Sequence, residues 1–232
     1  MTAQLVLSEL LLLADPNKAE HSKRFFKSGK GEYGEGEIFL GINVPSQRKI
    51  AKKYSQMPLF EVEKLLQNKY HEARLTALML IVYRIQKSTN LDSDRVVQLY
   101  LKNLDYVNNW DLVDCSCHHI LGPFLEHKER DILYDLANSD KLWEKRIAMI
   151  ICFYFIRKHD YKDALAIAEI LLNDNHDLIH KAVGWMIREV GNRDLEVETQ
   201  FLDMHFKEMP RTMLRYAIEK FEEPLRLHYL HG

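Results

Sequence analysis

The segment "YVNNWDLVDCSCHH", Tyr106 to His119, places a tryptophan and two carboxylates at the head of an otherwise apolar run. With a helix capped at Asn108, Asp111 falls at the third helical position. A carboxylate there reaches back to the cap amide and favours the positive helix end, so capping accounts for Asp111. Asp114 lies nearly two turns in, beyond useful reach of the free amides. The apolar stripe of that helix is Val113, Cys117, Ile120, Leu121 and Phe124. Asp114 sits on its flank, with Trp110 one turn earlier on the same side. A carboxylate beside an indole at the edge of a core is costly unless it has a partner or a chemical task. Helix geometry leaves both open, and the half-buried salt bridge is the simpler account.

Two other segments carry similar oddities. In "LWEKRIAMIICF", Arg146 shares a face with Met149, Ile150 and Phe153. An arginine so placed must snorkel, pair with an acid or meet a phosphate. In "DLIHKAVGWMIRE", Trp185 lies one turn after Lys181 and is followed by Arg188. Trp185 is either core or a ligand-facing indole. Further along stand Arg193, Arg211 and Arg215, which with Lys145, Lys181 and Arg188 read as solvated faces or as a basic strip tracking phosphates.

Some apparent motifs fail on geometry. "CSCHH" is no metal site, because on a helix Cys115 and Cys117 point roughly 200° apart and zinc pairs need wider spacing in a turn. Cys–His nucleophilic catalysis lacks a third orienting group. Gly29, Gly31 and Gly34 satisfy the dinucleotide-binding glycine pattern, but no strand precedes them, and Glu32, Glu35 and Glu37 would repel a phosphate. The stretch Ser28 to Pro45 reads instead as a structured loop that uses glycine conformations closed to other residues.

Helices must position these residues. Apolar spacing is helical nearly everywhere, as in "EARLTALMLIVYRI", and no alternating strand is evident. Comparable apolar helices begin near Tyr70, Asn108, Trp143, Ile179 and Pro210, in steps of 38, 35, 36 and 31 residues. A helical pair recurring at this period predicts an all-α solenoid, curved, in one domain over residues 1–232. An irregular bundle is the alternative.

At 47% apolar and 28% charged residues, the composition is that of a globular chain rather than a disordered one. A net charge of −2 means that any nucleic-acid binding must come from a local gathering of Lys and Arg. The longest apolar run, "MIICFYFI", is too short for a bilayer, and "LVLSELLLLA" lacks the basic flank of a signal peptide. Three cysteines suggest free thiols in a reducing compartment, so a cytoplasmic protein is expected, with no membrane association.

The segments "NWDLVD", "LWEKRIAMI" and "KAVGWMIRE", with "GEYGEGEIFLGINVPSQRKIAK" before them, resemble the AlkD-type DNA alkylation repair glycosylases in order and spacing, from about Lys18 to about Tyr216. The resemblance implies a solenoid of HEAT-like repeats that holds duplex DNA on its concave face and excises positively charged N3- or N7-alkylated purines. It implies Asp114 as the catalytic carboxylate, Trp110 and Trp185 as flanking aromatics, and Arg146 on the lesion-strand backbone. Lys181, Arg188 and Arg215 would join Arg146 on phosphates. Phe25 stands where some relatives have a tyrosine, so an aromatic wall survives without its hydroxyl. A monomer needing no metal and no other cofactor is expected. The rival reading is a non-catalytic solenoid scaffold for DNA or protein.

Overall fold

The computed structural model describes residues 1–87 and 90–231. Among them the chain is helical throughout, and extended backbone pairs only at an isolated parallel bridge between Ile38 and Tyr70. Packing divides residues 1–232 into two compact units, Met1–Ser116 and Cys117–Gly232.

The first unit holds α1 (Ala3–Leu12), α2 (Pro16–Phe25), α3 (Val44–Lys53), α4 (Leu59–Leu66), α5 (His71–Lys87), α6 (Asn90–Lys102) and α7 (Trp110–Asp114). Its centre is α5, buried almost all round from His71 to Val82 and packed by α1, α3, α4, α6 and α7. A helix apolar on every side has to lie inside other helices, which is why its sequence shows no polar stripe. The glycine-rich stretch between α2 and α3 is a run of turns. Gly31, Gly36 and Gly41 take positive φ, whereas Gly29 and Gly34 do not. Glu72 of α5 pins the end of this run, accepting from the amides of Leu40 and Gly41 at 2.8 Å each and of Ile42 at 3.3 Å.

The second unit holds α8 (Cys117–Leu125), α9 (Asp131–Ala137), α10 (Leu142–Ile156), α11 (Lys162–Ile170), α12 (Asp177–Gly191), α13 (Leu195–His205), α14 (Arg211–Ala217) and α15 (Glu223–His231). Here α8 packs on α10, α10 on α12 and α12 on α14, while α9 packs on α11. Each helix thus meets its counterpart one repeat later, the stacking of an α-solenoid. The stack is tight enough to demand glycine at Gly184, where a Cβ would come within 2.3 Å of the Met213 carbonyl oxygen on α14.

The five repeat starts read from the sequence match helices beginning at His71, Trp110, Leu142, Asp177 and Arg211. One helix differs from expectation. The segment after Asn108 is not continuous: α7 ends at Asp114, Cys115 and Ser116 turn, and α8 restarts at Cys117. Ser116 donates its hydroxyl to the Leu112 carbonyl at 2.5 Å, a local bond that competes with helix continuation. The cap is Asn109 rather than Asn108, with its side chain accepting from the Trp110 amide at 2.8 Å, so Asp111 is the second helical residue and not the third.

Candidate active site

In the first unit, Trp110 and Asp114 are the first and last residues of α7, and both are half-buried. Asp114 therefore stands at the negative end of its helix, where capping offers a carboxylate nothing. Val113 and Leu112, between them, are fully buried and hold α7 down.

Around Trp110 the end of α2 and the turn after it build an aromatic wall. Phe26 stacks on the indole with centroids 5.3 Å apart, and Phe25 meets it edge-on at 5.7 Å. Phe25 is 58% exposed, so this wall opens to solvent through Phe25. Phe26 continues inward, stacking on Phe39 at 5.1 Å.

Behind the wall lies a group of charges that sequence reasoning missed. His71, 2% exposed, sits between two carboxylates: Nδ1 is 2.5 Å from Glu37 Oε2 and Nε2 is 2.8 Å from Asp111 Oδ2. Arg74 donates to both oxygens of Glu37 at 2.5 Å, and Asn108 donates to Glu37 Oε1 at 3.1 Å. Burial works against the Glu37 charge, but His71 and Arg74 outweigh it and hold the carboxyl below its usual range. Burial also works against protonated His71, yet Asp111 and Glu37 overcome it and push the ring up to about 9. The one signal available in the sequence was the trio His71, Glu72 and Arg74 at the head of an otherwise apolar helix.

Asp111 therefore does not reach back to the cap amide as expected, because its oxygens are taken elsewhere. Its Oδ1 accepts from the Leu112 amide at 2.8 Å while Oδ2 takes the His71 bond.

The second unit carries the remaining expected residues. Trp185 is half-buried, bonded through Nε1 to Glu189 at 3.2 Å and 6.0 Å from the Phe153 ring. Arg157 and Arg193 each stand 5.8 Å from the Phe153 centroid, within cation–π range. Arg146 is 5% exposed and donates to the Leu178 carbonyl at 2.6 Å, tying α10 to the first turn of α12. Lys181 pairs with Asp177 at 2.7 Å, and Arg188 pairs with Glu219. Such half-exposed pairs are weak and open readily to a better anion. Arg215 is exposed and lines a cleft of about 390 Å³ with Arg211, Arg226 and His231. Phe25, Trp110 and Asp114 thus fall in one unit, and Arg146, Lys181, Trp185, Arg188 and Arg215 in the other.

Cys115 is exposed, Cys117 and Cys152 are buried, and all three are free thiols. Among the described residues no group of three His, Cys, Asp or Glu could hold a metal ion, and no helix is long and apolar enough to cross a membrane.

The model of a family described as "DNA alkylation repair enzyme" matches residues 6–221. A solved structure described as a predicted DNA alkylation repair enzyme from Enterococcus faecalis superposes with a TM-score of 0.71 at 15% identity, covering 90% of this chain and 97% of that one. At that identity the likeness establishes the fold. No curated protein matches the chain.

Proposed function

Because this chain belongs to the DNA alkylation repair enzyme family, we propose that it is a DNA glycosylase that hydrolyses the N-glycosidic bond of positively charged N3- or N7-alkylated purines in duplex DNA. The observation that carries this reading is α7 itself. It presents a half-exposed carboxylate, Asp114, one turn from an indole that heads the wall of Phe25 and Phe26.

The chemistry suits those residues. Alkylation at N3 or N7 makes the purine cationic and a better leaving group. As the bond to C1′ breaks, positive charge develops on the sugar. A carboxylate close to C1′ stabilises that charge and orients or deprotonates the attacking water, as carboxylates do in glycoside hydrolysis. Tryptophan faces attract cations, which fits Trp110 as a partner of the charged lesion, while the flanking role of Trp185 rests on the family resemblance. Phe25 supplies apolar contact without a hydroxyl. In this reading Asp114 acts directly on the reacting sugar.

Lys181, Arg188 and Arg215 are assigned to backbone phosphates. Arg146 has the same assignment, made across the small part of its side chain that is exposed while Leu178 holds its Nη1. The protein acts as a monomer in the cytoplasm, consistent with its free thiols, and needs neither metal nor other cofactor. The test is release of 7-methylguanine from methylated duplex DNA by the purified protein. Binding of DNA or protein with no base release would instead favour the scaffold reading.

A further inference from the structure

We infer that His71 is a positioning residue for this reaction: clamped between Glu37 and Asp111, it fixes α7 and thereby sets where Asp114 and Trp110 stand. The inference rests on the glycosylase reading for its catalytic consequence, and on geometry alone for the clamp.

Five residues make too short a helix to hold its own shape. The orientation of α7 must come from outside. Leu112 and Val113 anchor it to the core by apolar burial, which is non-directional, whereas the Asp111 bond to His71 is directional. Asp111 lies one residue after Trp110 and three before Asp114, so a rotation of Asp111 carries both with it.

The clamp requires a charged ring. Both nitrogens of His71 face carboxylate oxygens, and an ionised carboxylate only accepts. Both nitrogens must therefore donate, which is the imidazolium. The buried group is then neutral overall, with Glu37 and Asp111 balancing His71 and Arg74. Everything facing His71 agrees with this assignment. Glu37 approaches from the loop and Asp111 from α7, while the Phe26 and Phe39 rings, 5.0 and 4.8 Å away, carry no charge. On its own helix, Arg74 is engaged with Glu37, and Glu72 is turned to the loop amides. Loss of the proton would set a lone pair against one carboxylate and leave a net negative charge in the interior. With the ring pushed up to about 9, the clamp is intact at neutral pH and opens as pH rises through about 9.

Two readouts separate the clamp from the glycosylase reading. One is single-turnover release of 7-methylguanine between pH 7 and 10. The other, without DNA, is Trp110 emission across the same range in a Trp143→Phe, Trp185→Phe background. The expected result is a common midpoint near 9 for the excision rate and the emission. His71→Gln should slow excision about 10- to 100-fold at pH 7 with DNA affinity retained, since small misplacements of a catalytic group are costly. His71→Lys, which keeps the charge, should recover part of the rate and stay level through pH 9, and this also controls for alkali chemistry of the substrate. Emission that does not change between pH 7 and 10, or His71→Gln excising at the wild-type rate, would overturn the inference. If the wild-type protein releases no base, the glycosylase reading fails while the emission titration still decides the clamp. If His71→Gln does not fold, the two titrations with His71 in place decide alone.

Discussion

Glu198 is a buried acid whose charge ties the stability of the fold to pH. It lies on α13, 2% exposed, with its carboxyl against the backbone of Gly191. Its Oε1 has no hydrogen-bond partner. Burial pushes the carboxyl up to about 8, only partly offset by the Arg188 charge. In the unfolded chain the same group titrates near 4.5. Between these values the unfolded state has lost its proton and the folded state keeps it. The contribution is therefore fully present below about 4.5 and is lost as pH rises to about 8, at about 1.4 kcal/mol per pH unit. By pH 7 the loss is about 3 kcal/mol, and at pH 8 and above about 5 kcal/mol, an appreciable share of a typical domain's stability. Glu198→Gln keeps the shape and removes the titration. Urea unfolding of both proteins at pH 5, 6.5 and 8 should show a near-equal pair at pH 5 and a variant gaining steadily toward pH 8. His71 weakens both proteins equally above about pH 6.5, so it cancels in the difference. A difference between the two that stays constant from pH 5 to 8 would refute the argument that this carboxyl is buried uncharged.

The remaining predictions concern DNA. Asp114→Asn should retain fold and duplex affinity while single-turnover base release falls about 100-fold or more, as on removal of a transition-state electrostatic partner; near-normal release would remove Asp114 from the chemistry. Excision should persist in excess EDTA and reductant, and activity abolished by EDTA and restored by zinc would contradict the metal-free reading. Arg146→Ala should weaken binding to two unrelated duplexes alike and flatten the dependence of affinity on salt by about one phosphate contact. Because its Nη1 also ties α10 to α12, the variant should in addition lose roughly 2 kcal/mol of stability, measured by denaturant unfolding. An unchanged salt slope alongside that loss would leave Arg146 with the helix tie alone.

The repeat was legible because period and burial coincide. Each long helix must present an apolar face to its neighbour one repeat later, so helix starts recur where packing recurs, and all five fall within two residues of the positions read from spacing. The break between α7 and α8 was hidden for the same reason. Val113, Cys117, Ile120 and Leu121 are all buried, so the stripe runs across the turn at Cys115 and Ser116 as if the helix continued. Nothing in apolar spacing registers a serine hydroxyl turned back onto its own backbone. The charges behind Trp110 were hidden by distance. Glu37 and Asp111 lie 34 and 40 residues from His71, and neither pairing leaves a periodic trace.

The two acids of "NWDLVD" show how spacing alone separates a residue that capping can explain from one that it cannot. Capping was the reading for Asp111, while for Asp114 a half-buried salt bridge and a chemical task both stood open. The structure gives Asp111 a structural duty other than the expected cap contact, since its two oxygens hold the Leu112 amide and the His71 ring. An acid so engaged is poorly placed to turn toward a sugar, because releasing His71 would strand a buried positive charge. Asp114 stands at the other end of the same short helix, half-exposed and unfavourably placed against the dipole. Under the proposed glycosylase reading, Asp114 meets a cation that arrives with the substrate. In that proposal the cation is the charge that develops on a sugar losing a cationic purine, and stabilising it in the transition state accelerates reaction.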